Sequence, residues 1–356
     1  MEFYLLPILA FLSLVVVESR ASLRSELYWP LVLPNTPKPK FCGFSGGLLQ
    51  LTLTAGDADL PSEVYWSSVL PNTPMPQAVK NSLRPDLLED QSTPVEIGKG
   101  TSMGFSKEGG AMNMYAGVKP AKAAMPFSYH YAATKDQLHA YPNVAIFFLE
   151  KDMHPGMKLT LHFTKTTNAT FLPHQVANSL PFSSDKLAEI LDQLSIKPES
   201  VEAETIKNTI EECEDPGIKG EEKYCATSLE SMIDFSTSKL GNKGVKAVST
   251  EAENKSQMKY RIAAGLEKMG GDFSVVCHKM NYPYAVFYCH KIQATRAYMV
   301  PLVGRDGTKA KAVAVCHANT MEWNPNHLAF QLLKVKPGTA PICHFLPEDH
   351  VVWVAK

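Results

Sequence analysis

The sequence has 356 residues, of which 45% are hydrophobic and 20% are charged, and its formal net charge is −1 at pH 7. A nearly neutral chain has no strongly basic surface for nucleic acid or for an anionic membrane, so neither is expected as a partner. The length allows one large domain with extensions, or two domains.

The amino terminus has the order of a secretory signal peptide. An apolar run extends from Leu5 to Val17, broken by one proline and one serine, and the small residues Ser19 and Ala21 follow it. This run is too short to cross a bilayer, which takes about 20 apolar residues. The sequence therefore predicts a signal peptide over residues 1–21 and a secreted protein.

The next region, residues 22–144, contains scattered proline and glycine and an internal repeat. The segment SELYWPLVLPNTPKP at 25–39 returns as SEVYWSSVLPNTPMP at 62–76, and 11 of the 15 positions are identical. Proline restricts its own φ and pushes the residue before it toward extended backbone. We therefore expect both copies to be extended, within a weakly ordered amino-terminal region.

A folded domain is predicted over residues 145–356. It opens with short strands at 145–149 and 158–163, the second of which alternates in hydrophobicity. Three helices are then predicted: one capped near Ser183–Asp185, one starting near Pro198, and one within 221–240 that stops at Gly241.

After Gly241 the pattern changes to short β-branched and aromatic runs separated by Gly, Pro, Asn and Asp. Five of these runs, FSVVC, YAVFYC, RAYMVPLV, AKAVAVC and HVVWVA, are typical of strands. The sequence thus predicts an α+β fold with a helical middle and a mostly antiparallel β carboxyl-terminal half.

Cysteine usage indicates disulfides, because thiols pair in the oxidising compartment to which a signal peptide leads. An even set lies in the folded half, and Cys42 is left over. Cys213 and Cys225 lie at the junction of two predicted helices and are expected to pair. The even set is Cys213, Cys225, Cys277, Cys289, Cys316 and Cys343.

The last four of these cysteines are each followed by a histidine, and 10, 25 and 25 residues separate the successive pairs. Consecutive side chains on a strand point to opposite faces, so Cys and His should diverge. The four cysteines can then form two disulfides, whose pairing the sequence leaves open among three arrangements. Zinc clips of the usual close spacing are not present, and adjacent residues are poorly placed as a Cys-His catalytic dyad.

The four imidazoles are free to converge once the cysteines point the other way. Converging imidazoles suit copper or zinc, whereas separate imidazoles would only form hydrogen bonds at strand ends. The sequence predicts a metal site, for copper or zinc, at His278, His290, His317 and His344.

This spacing of Cys-His pairs resembles the plant BURP-domain family. Other matching features are the Phe147-Phe148 entry, the HPG at 154–156, the cysteines at 213 and 225, and Trp353, so that the resemblance covers about 145–355. The stretch HYAATKDQLHAYPNVAIFFLEKD is similar to the dehydration-responsive branch of that family.

The resemblance implies a role in stress response, in seed or reproductive development, or at the cell wall. Its implied partners are a cell-wall polysaccharide or a wall enzyme such as polygalacturonase, and action without catalysis is expected. Some family members are instead copper-dependent autocatalytic cyclases that crosslink Trp or Tyr of a core peptide. In those members the histidines of the Cys-His pairs resemble copper ligands, so the resemblance makes copper the candidate cofactor. This alternative stays open, although residues 164–185, after the LHF strand, contain no Trp or Tyr.

Two sequons add candidate sites of N-glycosylation at Asn168 and Asn254. In a secreted chain either asparagine can carry a glycan if it is exposed.

Overall fold

Two antiparallel sheets pack against each other at the centre of the computed structural model of this protein. The structure describes residues 60–83, 103–108, 111–116, 147–161, 163, 165–241, 244–253 and 258–356. The predicted signal peptide, the first copy of the repeat, Cys42 and Asn254 lie outside the described residues.

Seven helices and fifteen strands occur in the described part of the chain. The helices are α1 (Pro61–Val69), α2 (Gln77–Leu83), α3 (His174–Ser179), α4 (Leu187–Gln193), α5 (Val201–Glu214), α6 (Leu229–Leu240) and α7 (Leu328–Leu333). The strands are β1 (Met103–Glu108), β2 (Ala111–Ala116), β3 (Phe148–Leu149), β4 (Lys158–Leu161), β5 (Glu221–Ala226), β6 (Val245–Val248), β7 (Glu251–Ala252), β8 (Met258–Ile262), β9 (Glu267–Met269), β10 (Ser274–Lys279), β11 (Phe287–Ile292), β12 (Thr295–Gly304), β13 (Lys309–His317), β14 (Ile342–Phe345) and β15 (Val351–Ala355).

The strands β3 to β15 form two sheets in which every pairing is antiparallel. The smaller sheet has the order β5-β11-β10-β15-β6. The larger sheet has the order β3-β14-β13-β12-β8-β4, with β7 paired to β13 and β9 paired to β12. The α+β prediction, with a mostly antiparallel carboxyl-terminal half, is confirmed.

Alternation along the strands builds the core between the sheets. On β15, Val352 and Val354 face β13 of the larger sheet, where Val313 and Val315 are equally buried. Trp353 points to the opposite face, where α6 covers the smaller sheet. The period of two in HVVWVA thus fills two apolar layers at once.

The helices of the middle region begin and end at residue types that are typical of helix caps. Ser200 accepts a hydrogen bond from the Ala203 amide at the start of α5, and Ser228 accepts one from the Ser231 amide at the start of α6. Gly241, with φ of 86°, ends α6 in a conformation that favours glycine.

One predicted helix is partly wrong, because residues 221–226 form the strand β5. This segment pairs with β11 along its whole length. Its exposure alternates residue by residue, which is a period-two signal that the neighbouring helical pattern of α6 conceals. The short helices α3 and α7 were not expected from the sequence.

The prediction of extended, weakly ordered structure is also wrong for the second copy of the repeat. Residues 61–69 form α1, with Pro61 at its first position, where a missing amide hydrogen costs nothing. The Trp66 ring packs on Trp353 with centroids 5.4 Å apart, so α1 belongs to the core of the domain. Farther along the Gly-containing spacer, β1 and β2 pair as a hairpin.

Three disulfides staple this fold. Cys213 is bonded to Cys225 and joins α5 to β5. Cys277 is bonded to Cys289, and Cys316 is bonded to Cys343, which selects one of the three pairings that the sequence leaves open. Among the described residues, no helix is both long enough and apolar enough to span a bilayer.

Peptide mapping without reduction should recover these three linked pairs and no others among the six cysteines. Replacing Cys316 and Cys343 together by alanine should lower the free energy of unfolding by about 2–4 kcal/mol, because the unfolded chain regains the entropy of an open loop. Urea unfolding measures this loss, with Cys42→Ala as the control that should leave the midpoint unchanged. Recovery of Cys277 linked to Cys316 would contradict the arrangement.

Candidate functional site

The two cross-strand disulfides decide where the histidines point. Cys277 lies directly opposite Cys289 in the β10–β11 ladder, with Cα atoms 3.9 Å apart. The residue after each cysteine must then lie on the other face of the sheet. His278 and His290 are consequently diagonal neighbours on the face that meets the second sheet.

The larger sheet repeats the same arrangement. Cys316 lies directly opposite Cys343 in the β13–β14 ladder, with Cα atoms 4.0 Å apart. His317 and His344 follow them on the other face, with their rings stacked and their centroids 5.6 Å apart. Each sheet therefore directs one pair of imidazoles into the space between the sheets.

The two pairs meet there, and the structure brings all four predicted histidines together. The Nε2 atoms of His278 and His290 are 3.2 Å apart. The centroid of the His278 ring is 6.4 Å from that of His344, which links the two sheets. His290, His317 and His344 are at most 3% exposed. We call these four residues the imidazole cluster.

Two side chains that sequence reasoning missed complete the smaller-sheet side of the cluster. Glu221 on β5 accepts a hydrogen bond from Nδ1 of His290 at 2.8 Å and another from the Tyr288 hydroxyl at 2.9 Å. His350, just before β15, places its Nδ1 atom 3.1 Å from Nδ1 of His278. The Thr166 hydroxyl lies 3.0 Å from Nε2 of His350.

These contacts form one directional chain when each ring is neutral. The Glu221 carboxylate only accepts, so the Nδ1 atom of His290 donates and its Nε2 atom accepts from His278. His278 then accepts from His350 through Nδ1, and His350 accepts from the Thr166 hydroxyl. One carboxylate at the end of the chain thus selects the tautomers of three imidazoles.

Burial favours the uncharged form of His278, His317 and His344 in the imidazole cluster, and of His350 beside it. It lowers the pKa of His344 to about 4, and that of His350 to about 4, because a charged ring there would lose its hydration. Burial and the neighbouring imidazoles also lower the pKa values of His278 and His317. Neutral imidazoles have the lone pairs that metal ions require.

The pKa shift of Glu221 favours its charged form. Burial would raise its pKa, but the hydrogen bonds from His290, Ile218 and Tyr288 lower the pKa to about 2. The carboxylate therefore stays ionised although its side chain is only 2% exposed. A buried anion of this kind is tolerated because several donors surround it.

An aromatic wall flanks the larger-sheet side of the cluster. The Trp323 ring lies 5.1 Å from the His317 ring and 4.8 Å from the His327 ring. Phe147 contacts His344 edge-on at 6.1 Å. Burial lowers the pKa of His327 to about 4, and its Nδ1 atom accepts from the Ala329 amide at the start of α7.

The donor chemistry of the cluster fits copper, but its arrangement meets only part of the requirement. Two metal–nitrogen bonds of about 2.0 Å can span the 3.2 Å between His278 and His290. The Glu221 bond to the far nitrogen of His290 is the outer-sphere contact that metal-bound histidines usually have. Within the described part of the chain, however, no three His, Cys, Asp or Glu side chains converge as metal ligands. A copper ion held by more than the first pair would require a different arrangement of the rings.

Sequence signals for the missed residues differ in strength. His350 is the first residue of the run HVVWVA, directly before β15, so a fifth histidine near the strand ends is visible but has no Cys beside it. Glu221 precedes the helix-like pattern of α6, and only the strand pairing of β5 with β11 brings it to His290.

Of the two candidate glycosylation sites, Asn168 is exposed on a loop.

Comparison with known proteins supports the resemblance on which the sequence analysis drew. The family model described as the BURP domain matches residues 146–355. BURP domain protein RD22 of Arabidopsis thaliana is 57% identical over 247 residues, which are 67% of this chain and 62% of that protein.

Two rice proteins match over a similar region. BURP domain-containing protein 3 of Oryza sativa subsp. japonica is 56% identical over 234 residues, covering 64% of this chain and 54% of that protein. BURP domain-containing protein 5 of the same rice is 46% identical over 229 residues, covering 63% and 71%. The chain thus spans less than two thirds of the length of two of these three relatives.

The role of Glu221 can be separated from that of its neighbour. Glu221→Gln should lower the free energy of unfolding by about 1–3 kcal/mol, because a neutral amide replaces a buried, charge-assisted acceptor. Urea unfolding measures the loss.

Glu222→Gln is the matched control, because it makes the same change one residue later. Glu222 is exposed and pairs with Lys239 and Lys291 at the surface. Its loss should cost about 0–1 kcal/mol. Equal effects of the two substitutions would remove the special position of Glu221.

Proposed function

The chain belongs to the BURP-domain family, and on that premise we propose that it is a secreted plant protein that acts without catalysis at the cell wall, in stress response or development. The 57% identity to RD22 over 247 residues is the observation that carries this proposal. It supports assignment to the dehydration-responsive branch, which the segment before Phe147 also resembles.

Secretion is supported by two independent features of the chain. The apolar segment of residues 1–21 has the order of a cleavable signal, and the three disulfides of the folded part suit an oxidising compartment. The proposed partner is a cell-wall polysaccharide or a wall enzyme such as polygalacturonase. A disulfide-stapled domain suits such a partner because it keeps its shape outside the cell.

Secretion is tested by terminal sequencing of the protein recovered from the apoplast of plant tissue. The mature chain should begin near Ser22, because cleavage after Ala21 leaves small residues at the positions that signal peptidase reads. Fractionation of the same tissue should find the protein with the wall material. Recovery of Met1, or retention inside the cell, would contradict the secretory role.

A second candidate is the copper-dependent peptide cyclase, and the imidazole cluster is the observation that favours it. Buried imidazoles held neutral are costly unless they bind something or form a complete hydrogen-bond network. Copper would supply the redox chemistry of a crosslinking reaction, and the cluster would hold it. His278 and His290 have the closest pair of donor atoms.

The position of the repeated aromatic residues weighs against the cyclase. Trp66 and Trp353 pack on the outer face of the smaller sheet, together with Cys277 and Cys289. The imidazole cluster lies on the inner face of that sheet, so Trp66 faces away from it. The indole Nε1 of Trp66 also donates to the Thr73 carbonyl within its own segment. We therefore keep action without catalysis as the main proposal.

Copper binding is tested by replacing His278, His290, His317 and His344 together with glutamine. Metal stoichiometry should fall to the background level, while the exposed His154→Gln variant should bind as the unaltered protein does. Circular dichroism checks that each variant is folded. Unchanged copper binding by the fourfold variant would end the metal-site hypothesis.

The pH dependence of binding follows from the direction of the pKa shifts. A protonated imidazole cannot bind a metal ion, and the ordinary imidazole pKa is about 6.5. Because burial lowers the pKa of His344 to about 4, the contribution of His344 to binding should persist below pH 6.5 and disappear as the pH approaches 4.

Peptide mapping after incubation with copper and oxygen separates the two candidate functions, because a crosslinked Trp or Tyr appears only if the protein is a cyclase.

A further inference from the structure

The second copy of the repeat occupies a groove on the outer face of the smaller sheet. The floor of the groove is formed by α6, β15 and β6, and we call it the docking groove. Trp66 is 3% exposed and Leu70 is 6% exposed, and both lie in the same apolar cluster as Trp353 and Met232. The segment from Ser62 to Pro76 thus behaves as a peptide ligand that is covalently attached to its own binding site.

Polar contacts fix the register of this segment in the docking groove. The Ser62 hydroxyl donates to Glu230 at 2.7 Å, and the Tyr65 hydroxyl donates to Asp234, so that two residues of α6 recognise the helix α1. Farther along, the Thr73 hydroxyl donates to the Val245 carbonyl of β6. Lys356 donates to the Asn72 carbonyl at 2.8 Å.

The first copy of the repeat retains every residue that these contacts use. Five positions of the second copy are buried, namely Ser62, Trp66, Leu70, Thr73 and Pro76. The first copy has the same residue at each, namely Ser25, Trp29, Leu33, Thr36 and Pro39. Tyr28, Asn35 and Glu26 also match their counterparts.

Three of the four differences between the copies fall at exposed positions, and the fourth falls at a residue that packs at the edge of the apolar cluster. Val64, Ser67 and Ser68 are exposed and Met75 is half-buried. Leu27, Pro30, Leu31 and Lys38 stand at these positions in the first copy. The two copies therefore share the five buried residues, and three of their four differences correspond to positions that face solvent in the second copy.

One of these differences determines which copy of the repeat binds the docking groove more strongly. Pro30 corresponds to Ser67, which is the seventh residue of the nine-residue helix α1. A proline there removes a backbone hydrogen bond and its ring clashes with the preceding turn. Pro30 therefore lowers the occupancy of the docking groove by the first copy by roughly two orders of magnitude, so the second copy occupies the groove in the structure.

We propose that residues 25–39 are an alternative ligand for the docking groove of the same chain. Exchange moves the chain through the groove by 37 residues, so that Pro39 takes the place of Pro76 and residues 40–76 loop out. Such a loop is cheap to close, because the entropic cost grows only slowly with length. A tethered segment also has a high effective concentration, which favours exchange within one chain over binding to another.

The exchange would alter which aromatic-proline segment the protein displays. In the structure the second copy is covered by the domain, and after exchange it would be presented to a partner instead. This inference is independent of the proposed function, since it depends only on the docking groove and on the identity of the two copies.

Exchange of the proline between the copies provides the test. The full-length secreted protein carrying Pro30→Ser and Ser67→Pro should dock its first copy, because the helix-breaking residue now lies in the second. Hydrogen exchange measured by mass spectrometry should find strong protection over 62–70 in the unaltered protein and over 25–33 in the exchanged variant. The slowing of exchange at the newly docked amides should be at least tenfold.

Four controls keep the result decisive. Pro30→Ser alone should give partial protection of both segments, because the copies then compete on nearly equal terms. Adding Trp29→Ala to the exchanged variant should abolish protection of 25–33, whereas Leu27→Ala, at the position that corresponds to the exposed Val64, should not. Sedimentation should find a monomer throughout, since dimers would place the first copy on another chain.

The proposal fails if protection stays on 62–70 in the exchanged variant, if it is lost from both segments, or if protection of 25–33 survives Trp29→Ala. A thermal unfolding transition measured on the same samples identifies a variant that has not folded. In that case a labelled peptide of residues 22–40, added to the folded Ser67→Pro protein, supplies the second measurement. Saturable binding that Trp29→Ala in the peptide removes would support the docking groove as its site, and absence of binding would overturn the proposal.

Discussion

The site depends on one constraint, the direct opposition of cysteines in two antiparallel ladders. Cys277 faces Cys289 in one sheet, and Cys316 faces Cys343 in the other. Since neighbours on a strand point to opposite faces, a disulfide on the outer face commits the next residue to the inner face. A shift of register by one residue would move all of these side chains to the wrong face. These two disulfides therefore do more than stabilise the fold, because they hold the four imidazoles in register between the sheets.

The burial of so many imidazoles sets a second constraint, which Glu221 meets. Neutral imidazoles have both a donor and an acceptor, so a chain of them needs a defined end. Glu221 provides that end as an ionised acceptor, and the strand β5 brings it there by pairing with β11. The disulfide from Cys225 on that strand to Cys213 on α5 fastens the edge of the sheet that carries the carboxylate. All three disulfides thus contribute to the same layer of polar side chains.

The parts of this arrangement that the sequence predicts are those encoded by local periodicity. Alternation in AKAVAVC and HVVWVA identifies β13 and β15, and capping residues locate α5 and α6. The divergence of Cys from His also follows from alternation alone. Glu221 and His350 could not be found in this way, because their positions depend on pairing between segments about 70 residues apart. The helix in the second copy of the repeat is not predictable from the sequence for a related reason. The prolines favour extended backbone locally, but contacts with α6 select a helix for the stretch between Pro61 and Pro71.

The folded domain includes residues that precede residues 145–356, the range that the sequence motifs predict as the domain. A fragment beginning at residue 145 would expose the face of the smaller sheet on which Trp66, Val79 and Leu83 pack. It would also remove Ser82, whose hydroxyl accepts a hydrogen bond from the buried Lys279 at the end of β10. Lys279 follows His278 directly, so the amino-terminal helices support the strand that carries the central imidazole of the chain. The two faces of the smaller sheet are therefore connected through β10, which directs Lys279 toward the amino-terminal helices on one face and His278 into the imidazole cluster on the other.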